Sequence, residues 1–286
     1  MKIVRANTAG FCMGVDLALK KLANLLAEPK SPDTPSTIIM FGPIIHNPQV
    51  LEEYAAKGVG IVNDPGKIPA GATVVVRAHG IPEPVRRTIL ARGATLVDAT
   101  CPKVKKAQTL IAAQAGKGKV LLLFGENDHP EVKGLLSYAT AGAYVFGSME
   151  ELEDLEPAHG PTYFLAAQTT QDEQEFLRIT DYLKSRFGGE ITVLSTICNA
   201  TMNRQQEAMD LATLVDFMVV VGGRDSGNTR RLAQVANAAG TPCVHVETAD
   251  DLSPEMLVGK RTIGLTAGAS TPKKIIDRVQ QVLESF

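Results

Sequence analysis

Tryptophan is absent from this chain, tyrosine occurs five times and phenylalanine nine times. Basic and acidic residues nearly balance, at 29 and 31. The chain therefore offers neither the basic stripe nor the aromatic stacking platform of a nucleic-acid binder. No run of about eighteen apolar residues occurs, which argues against a membrane-spanning helix. The amino terminus, MKIVRANTAGFCMGV, meets charge and glycine before an apolar stretch builds up, so no secretory signal is expected. That reading places the protein in the cytoplasm, where thiols stay reduced. Four cysteines at long, irregular distances with no CxxC pair then exclude a disulfide framework and leave metal binding, catalysis or burial. Long low-complexity linkers are missing too. PKSPDTPS (29–36) and LEDLEPAHGP (152–161) read as surface loops.

What is present is a chain of 286 residues, 44% hydrophobic and 21% charged, enough to bury a large core. Short apolar runs rich in β-branched residues alternate with helical spacing from end to end: TIIMF, TVVVRA, TLVDA, VLLLFG, TYFLAA, TVLST, DFMVVVGG, CVHVE and RTIGLTA. This alternation predicts parallel α/β units. In such folds ligands gather at the carboxyl ends of strands, where helix amino termini lie.

Three cysteines share one kind of junction. Cys12, Cys101 and Cys198 each follow a strand-like run and open a helical pattern, at spacings of one α/β subdomain. The reading is a degenerate threefold repeat. A helix amino terminus favours thiolate over thiol, and three thiolates suit a soft metal. Zinc with a fourth protein ligand is one option, although structural zinc sites usually use closely spaced cysteine pairs. An iron–sulfur cube with one iron left without a protein ligand is another. Cys243, inside TPCVHVET and away from any junction, reads as a small buried hydrophobe. Behind Cys101, Pro102 suits the first helical turn. Lys103, Lys105 and Lys106 read mainly as solvated helix surface that can also attract an acidic electron carrier.

The remaining junctions are rich in neutral or switchable polar groups: His46, His79, His129, Glu131, Gln168, Thr169, Thr170, Ser226, Asn228 and Ser270. Singly, several are ordinary helix caps. Together they can cage a phosphate ester without a lysine or arginine at every point. Three of the five histidines, in IIHNP, RAHGIP and NDHPE, are read as occupying equivalent junctions, whereas His159 and His245 read as surface or structural.

GFCMGVDLAL, IIHNPQVL, RAHGI, VDATCPKV, DHPEVKG, AAQTT, CNATMNRQ, GRDSGNTRRL and TAGAS follow the order found in 4-hydroxy-3-methylbut-2-enyl diphosphate reductases of the non-mevalonate isoprenoid pathway, which the chain resembles from about residue 1 to 280. The resemblance implies three parallel-sheet α/β lobes in pseudo-threefold arrangement around a central [4Fe–4S] cluster. Its lobes would be 14–97, 98–194 and 195–286, after an N-terminal strand and first ligand turn at 1–13. It implies Cys12, Cys101 and Cys198 as cluster ligands, with the substrate hydroxyl on the open iron. Glu131 would supply the proton, with Thr169 and His129 beside it, and His46, His79, His129, Ser226, Asn228 and Ser270 would hold the diphosphate. Many members carry a second serine where this chain has Gly227, whose backbone N–H can still donate. The implied products are isopentenyl and dimethylallyl diphosphate, and the implied partner is a one-electron donor such as ferredoxin or flavodoxin. Two rivals stand beside this reading: a non-redox cluster hydro-lyase, and a phosphate-binding α/β module without a cluster.

Overall fold

A computed structural model of the chain describes residues 1–28, 37–155, 157, 160–187 and 191–286. The expected loop at 29–36 and the residue His159 lie outside the described residues. Strand β1 (Lys2–Arg5) and helix α1 (Met13–Ala27) lead into the first repeat: β2 (Ile38–Phe41), α2 (Pro48–Ala56), β3 (Gly60–Val62), β4 (Thr73–Val76), α3 (Glu83–Ala91) and β5 (Thr95–Asp98). Helix α4 (Pro102–Ala115) opens the second: β6 (Val120–Phe124), α5 (Pro130–Leu136), β7 (Ala143–Phe146), α6 (Met149–Leu155), β8 (Tyr163–Ala167), α7 (Glu173–Arg186) and β9 (Thr192–Val193). Helix α8 (Asn199–Ala212) opens the third: β10 (Phe217–Val221), α9 (Gly227–Ala238), β11 (Cys243–Val246), β12 (Thr262–Ala267) and α10 (Lys273–Ser285).

Each repeat makes one four-stranded, all-parallel sheet, in the orders β3-β2-β4-β5, β7-β6-β8-β9 and β11-β10-β12-β1. The order is the same three times: second, first, third, fourth. In the last sheet the fourth place is taken by β1, so the N-terminal strand completes the C-terminal repeat. The first and third strands are central and buried, as in VLLLF of β6 and YFLAA of β8. Such near-continuous apolar runs are what a parallel sheet covered on both faces requires. The amphipathic α10 closes the third core with Ile276, Val279 and Leu283, one face at helical spacing.

The chain divides into two compact units. One, of Leu17–Ile44 and Tyr54–Cys198, holds the first two sheets; the other, of Met1–Asp16, Ile45–Glu53 and Asn199–Phe286, holds the third.

Three local readings need correction. Residues 152–155, expected in a loop, form the end of α6. Ser148 Oγ accepts the Glu151 N–H at 3.2 Å, the Glu151 carboxylate accepts the Gly147 N–H at 2.6 Å, and Leu152 is buried, so a capped turn with one apolar anchor wins over the proline that follows. TVLST contributes only Thr192–Val193 to β9, because Thr196 turns its hydroxyl to the backbone of Ala167 instead of continuing the strand. Finally, β3 and β7 are strands that no apolar run announced. They sit at sheet edges, where one side needs no apolar cover.

Candidate active site

The three cysteines occupy one position of the repeat. Each follows the fourth strand of its sheet and precedes a helix. Each donates its backbone N–H to the carbonyl two residues beyond the end of the third strand: Cys12 to Ala269 at 3.2 Å, Cys101 to Ala78 at 2.9 Å and Cys198 to Thr169 at 2.9 Å. At Cys101 the junction is a helix N-cap in extended conformation with Pro102 as the first helical residue, which fits the expectation that this proline starts the helix. None of the three is in a disulfide, and all are partly exposed. Thiols at helix amino termini, with their own N–H groups already satisfied, are a donor set that fits a soft metal centre.

Cys243 differs. It lies in β11, packed against the apolar cluster of Met218 and Ala212, and burial pushes its thiol up to about 11. His245 is engaged as well, with Nε2 2.7 Å from the Gly222 carbonyl.

Within the unit of the first two sheets, the junctions after β4, β6 and β8 bring His79, His129, Glu131 and Thr169 together. His129 caps α5, its Nδ1 accepting the Glu131 N–H at 3.1 Å. The rings of His79 and His129 meet edge to face at 5.3 Å. Glu131 is buried at 1% exposure. Its carboxylate accepts the Thr169 N–H at 2.6 Å and the Thr169 hydroxyl at 2.9 Å. Burial pushes the carboxyl up to about 7, and the two Thr169 bonds, which favour the ionised form, only partly offset it. A carboxyl poised near neutral pH can hold and release a proton there. Gln168 and Thr170 brace this loop: Gln168 Nε2 donates to Thr170 Oγ1 at 3.0 Å, and Gln168 Oε1 accepts the Glu126 N–H at 3.0 Å.

Within the other unit, the junctions after β10 and β12 bring Ser226, Gly227, Asn228, Ser270 and His46 onto one framework. Ser226 caps α9 by accepting the Thr229 N–H at 3.3 Å, and Gly227 is the first helical residue. Asn228 is 6% exposed, and its Nδ2 has no partner among the described residues. A buried amide donor left without a bond at a helix amino terminus suits an anionic ligand. Ser270 Oγ donates to the His46 carbonyl at 3.0 Å. Gly223 lets this backbone come close, since a Cβ there would stand 2.9 Å from the same carbonyl.

The three histidines are not at equivalent junctions, as the sequence suggested. The N-caps after the first strands are Asn47, His129 and Ser226. His46 precedes its cap by one residue, and His79 lies after a third strand. Sequence reasoning also missed Arg204 and Glu207, which bond the backbone leading to Cys12, and Thr196, which ties the approach to Cys198 to the backbone of Ala167. The signal available for the first was the motif CNATMNRQ itself, which puts an arginine where the other two junctions have alanine.

The family model described as LytB protein matches residues 3–284. A 4-hydroxy-3-methylbut-2-enyl diphosphate reductase of Solidesulfovibrio magneticus is 78% identical over the full length of both chains. One of Nitratidesulfovibrio vulgaris is 57% identical, again over both full lengths. The solved E-1-hydroxy-2-methyl-but-2-enyl-4-diphosphate reductase of Plasmodium falciparum superposes with a TM-score of 0.92 at 27% identity, over 99% of this chain and 87% of that one. With three repeated parallel sheets, a match along almost its entire length and such relatives, the chain belongs to the LytB family of 4-hydroxy-3-methylbut-2-enyl diphosphate reductases and is an oxidoreductase.

Proposed function

We propose that this chain converts 4-hydroxy-3-methylbut-2-enyl diphosphate to isopentenyl and dimethylallyl diphosphate, using a [4Fe–4S] cluster held by Cys12, Cys101 and Cys198. The names of its relatives support the reaction. The repeated junction supports the ligand set, because the three cysteines share a place in the repeat that Cys243 lacks. When bound, such a cluster supplies single electrons and a Lewis-acidic iron.

The overall change removes hydroxide as water and takes up two electrons and two protons. Hydroxide is a poor leaving group, so a proton delivered at the departing oxygen is the chain's main task. The observation that carries this reading is the buried Glu131 carboxyl, held on Thr169 and pushed up to about 7. It holds its proton up to about pH 7, and the Thr169 N–H and hydroxyl fix its orientation. A nearby phosphate would raise its proton affinity further.

Ser226, the Gly227 N–H, Asn228, Ser270, His46, His79 and His129 are the proposed diphosphate partners. Asn228 Nδ2 would gain in the complex the bond it otherwise lacks. The electron donor is a small one-electron carrier of the ferredoxin or flavodoxin type, and the setting is the cytoplasm.

Anaerobic purification, iron and sulfide analysis, and product analysis with an artificial one-electron reductant test the proposal together. About four irons per chain and both five-carbon diphosphates are expected. A colourless, iron-free, folded chain that binds diphosphate would replace it with a plain phosphate-binding module. Dehydration without electron consumption would replace it with a hydro-lyase.

A further inference from the structure

The cysteine junctions share a backbone bond, but unequal lengths of chain reach them. Only Ala99 and Thr100 separate β5 from Cys101, and Leu194 to Ile197 separate β9 from Cys198; Ala6 to Phe11 separate β1 from Cys12. Both shorter approaches are pinned by a side chain at or next to the approach itself. Asp98 accepts the Thr100 N–H at 2.9 Å and pairs with Lys105 at 2.6 Å. Thr196 Oγ1 accepts the Ala167 N–H at 2.8 Å and is 2.7 Å from the Ala167 carbonyl. The long approach has exposed residues at Asn7 and Phe11 and a left-handed turn at Gly10, φ +115°. A longer, more exposed connection samples more conformations and places its last residue less sharply.

Helix α8 supplies the restraint this loop lacks. The Arg204 guanidinium donates from Nε to the Thr8 carbonyl at 3.1 Å and from Nη2 to the Gly10 carbonyl at 2.7 Å. One turn further on, the Glu207 carboxylate accepts the Asn7 N–H at 2.7 Å, the Thr8 N–H at 2.8 Å and the Thr8 hydroxyl at 2.5 Å. A cation and an anion three residues apart on one helix face thus grip the carbonyls and the N–H groups of a single four-residue stretch. Arg204 is 4% exposed, and burying a guanidinium costs stability unless its donors are used. The repeat underlines the choice: six residues beyond Cys12 and Cys101 stand Ala18 and Ala107, both buried, and six beyond Cys198 stands Arg204.

We propose that Arg204 and Glu207 are positioning residues for Cys12, holding the Asn7–Gly10 loop so that the thiol two residues on is presented as a cluster ligand. The proposal rests on the cluster reading above. It assigns no contact of either side chain with substrate or iron.

The test compares wild type with Arg204→Ala, Arg204→Lys and Glu207→Gln. In anaerobically purified holoenzyme, Arg204→Ala should lose its iron to a chelator roughly 10–100-fold faster, as outer-shell substitutions do, and its reduced-cluster EPR spectrum should change. Arg204→Lys, which keeps the charge, should recover part of both. Amide hydrogen exchange at residues 7–12 should quicken in the iron-free chain as well. Should the buried Arg204→Ala fail to fold, Glu207→Gln, which keeps the side chain's size, must show the same three changes. Unaltered chelation, spectrum and exchange in a folded variant would overturn the proposal. A wild-type chain that binds no iron would overturn the cluster reading instead, and shows itself before any variant is compared.

Discussion

Cys198 and Thr169 are joined by a single backbone hydrogen bond, Cys198 N–H to Thr169 carbonyl at 2.9 Å. Thr169 simultaneously offers its N–H and hydroxyl to Glu131. One residue, two positions beyond β8, therefore ties Cys198 on one side to the buried Glu131 carboxyl on the other. The equivalent residues Ala78 and Ala269 accept the same cysteine bond but carry no hydroxyl. Threonine at this place lets one of the three repeated junctions hold a buried carboxyl, without disturbing the bond that all three share.

Glu131→Gln should retain iron and bind substrate but lose turnover by about 100-fold or more, the usual worth of a positioned general acid. It should also change how stability depends on pH. Burial raises the native carboxyl from 4.5 to about 7, whereas the unfolded chain ionises near 4.3. Below the unfolded value both states are protonated. Between the two values the native state keeps a proton that the unfolded state has lost, so stability falls as pH rises, and above about 7 the loss is complete. Its size is on the order of 3 kcal/mol. Urea unfolding of the iron-free proteins at pH 5 and pH 8 should show a larger fall in wild type than in the variant. Equal falls would mean that Glu131 is not buried in this way.

Thr169→Val removes the hydroxyl but not the N–H bond to Glu131. The ionised carboxylate loses one stabilising donor, so the carboxyl should rise above its wild-type value, by about one unit for a charge-assisted bond. Turnover that needs the protonated acid falls on the alkaline side, and this limb should move to higher pH in the variant. Maximal rate should drop as well, because the carboxyl loses its orientation. An unmoved limb would detach Thr169 from the proton route.

Cys243 should behave as the inert thiol. At a pKa of about 11, roughly one part in a thousand is thiolate at pH 8. Alkylation of the iron-free chain should modify Cys12, Cys101 and Cys198 well before Cys243. Cys243→Ala should keep full iron content and cost about 1 kcal/mol of stability through lost packing. Iron loss in that variant would bring Cys243 into the ligand set.

How much of this was legible beforehand depended on which physical signal each residue leaves in sequence. The central strands announced themselves, because parallel strands covered on both faces must be apolar throughout, as VLLLF and YFLAA are. Strands β3 and β7 stayed hidden because an edge strand with exposed residues, such as GIV at 60–62, leaves no such run. The cysteine junctions were readable from Cys12, Cys101 and Cys198 alone. Their shared bond to the third-strand loop was not, since it is made by backbone and any residue type can accept it. Arg204 and Glu207 escaped because they act on a loop nearly 200 residues away, a distance that no local pattern spans.

Gly222 offers a test of how tightly the junction proposed to hold the diphosphate is built. It is the residue after β10, at φ +147°, where side chains are strained. A Cβ there would stand 2.5 Å from Thr271 Oγ1 and 2.9 Å from Thr229 Oγ1. Both threonines are fully buried, so neither can swing aside. Thr229 is also the residue whose N–H is capped by Ser226, and displacing it moves the start of α9 with Ser226 and Asn228. Gly222→Ala should therefore cost about 2–4 kcal/mol, combining overpacking with backbone strain, and weaken diphosphate binding at least tenfold. Gly240→Ala is the matched control: φ is +86°, but a Cβ there meets nothing within 4 Å, so only about 1 kcal/mol of backbone strain is expected. Chemical denaturation and calorimetric titration with diphosphate separate the two. If Gly222→Ala is no worse than Gly240→Ala in either measurement, the junction tolerates movement, and the positions of Ser226 and Asn228 are not set by this packing.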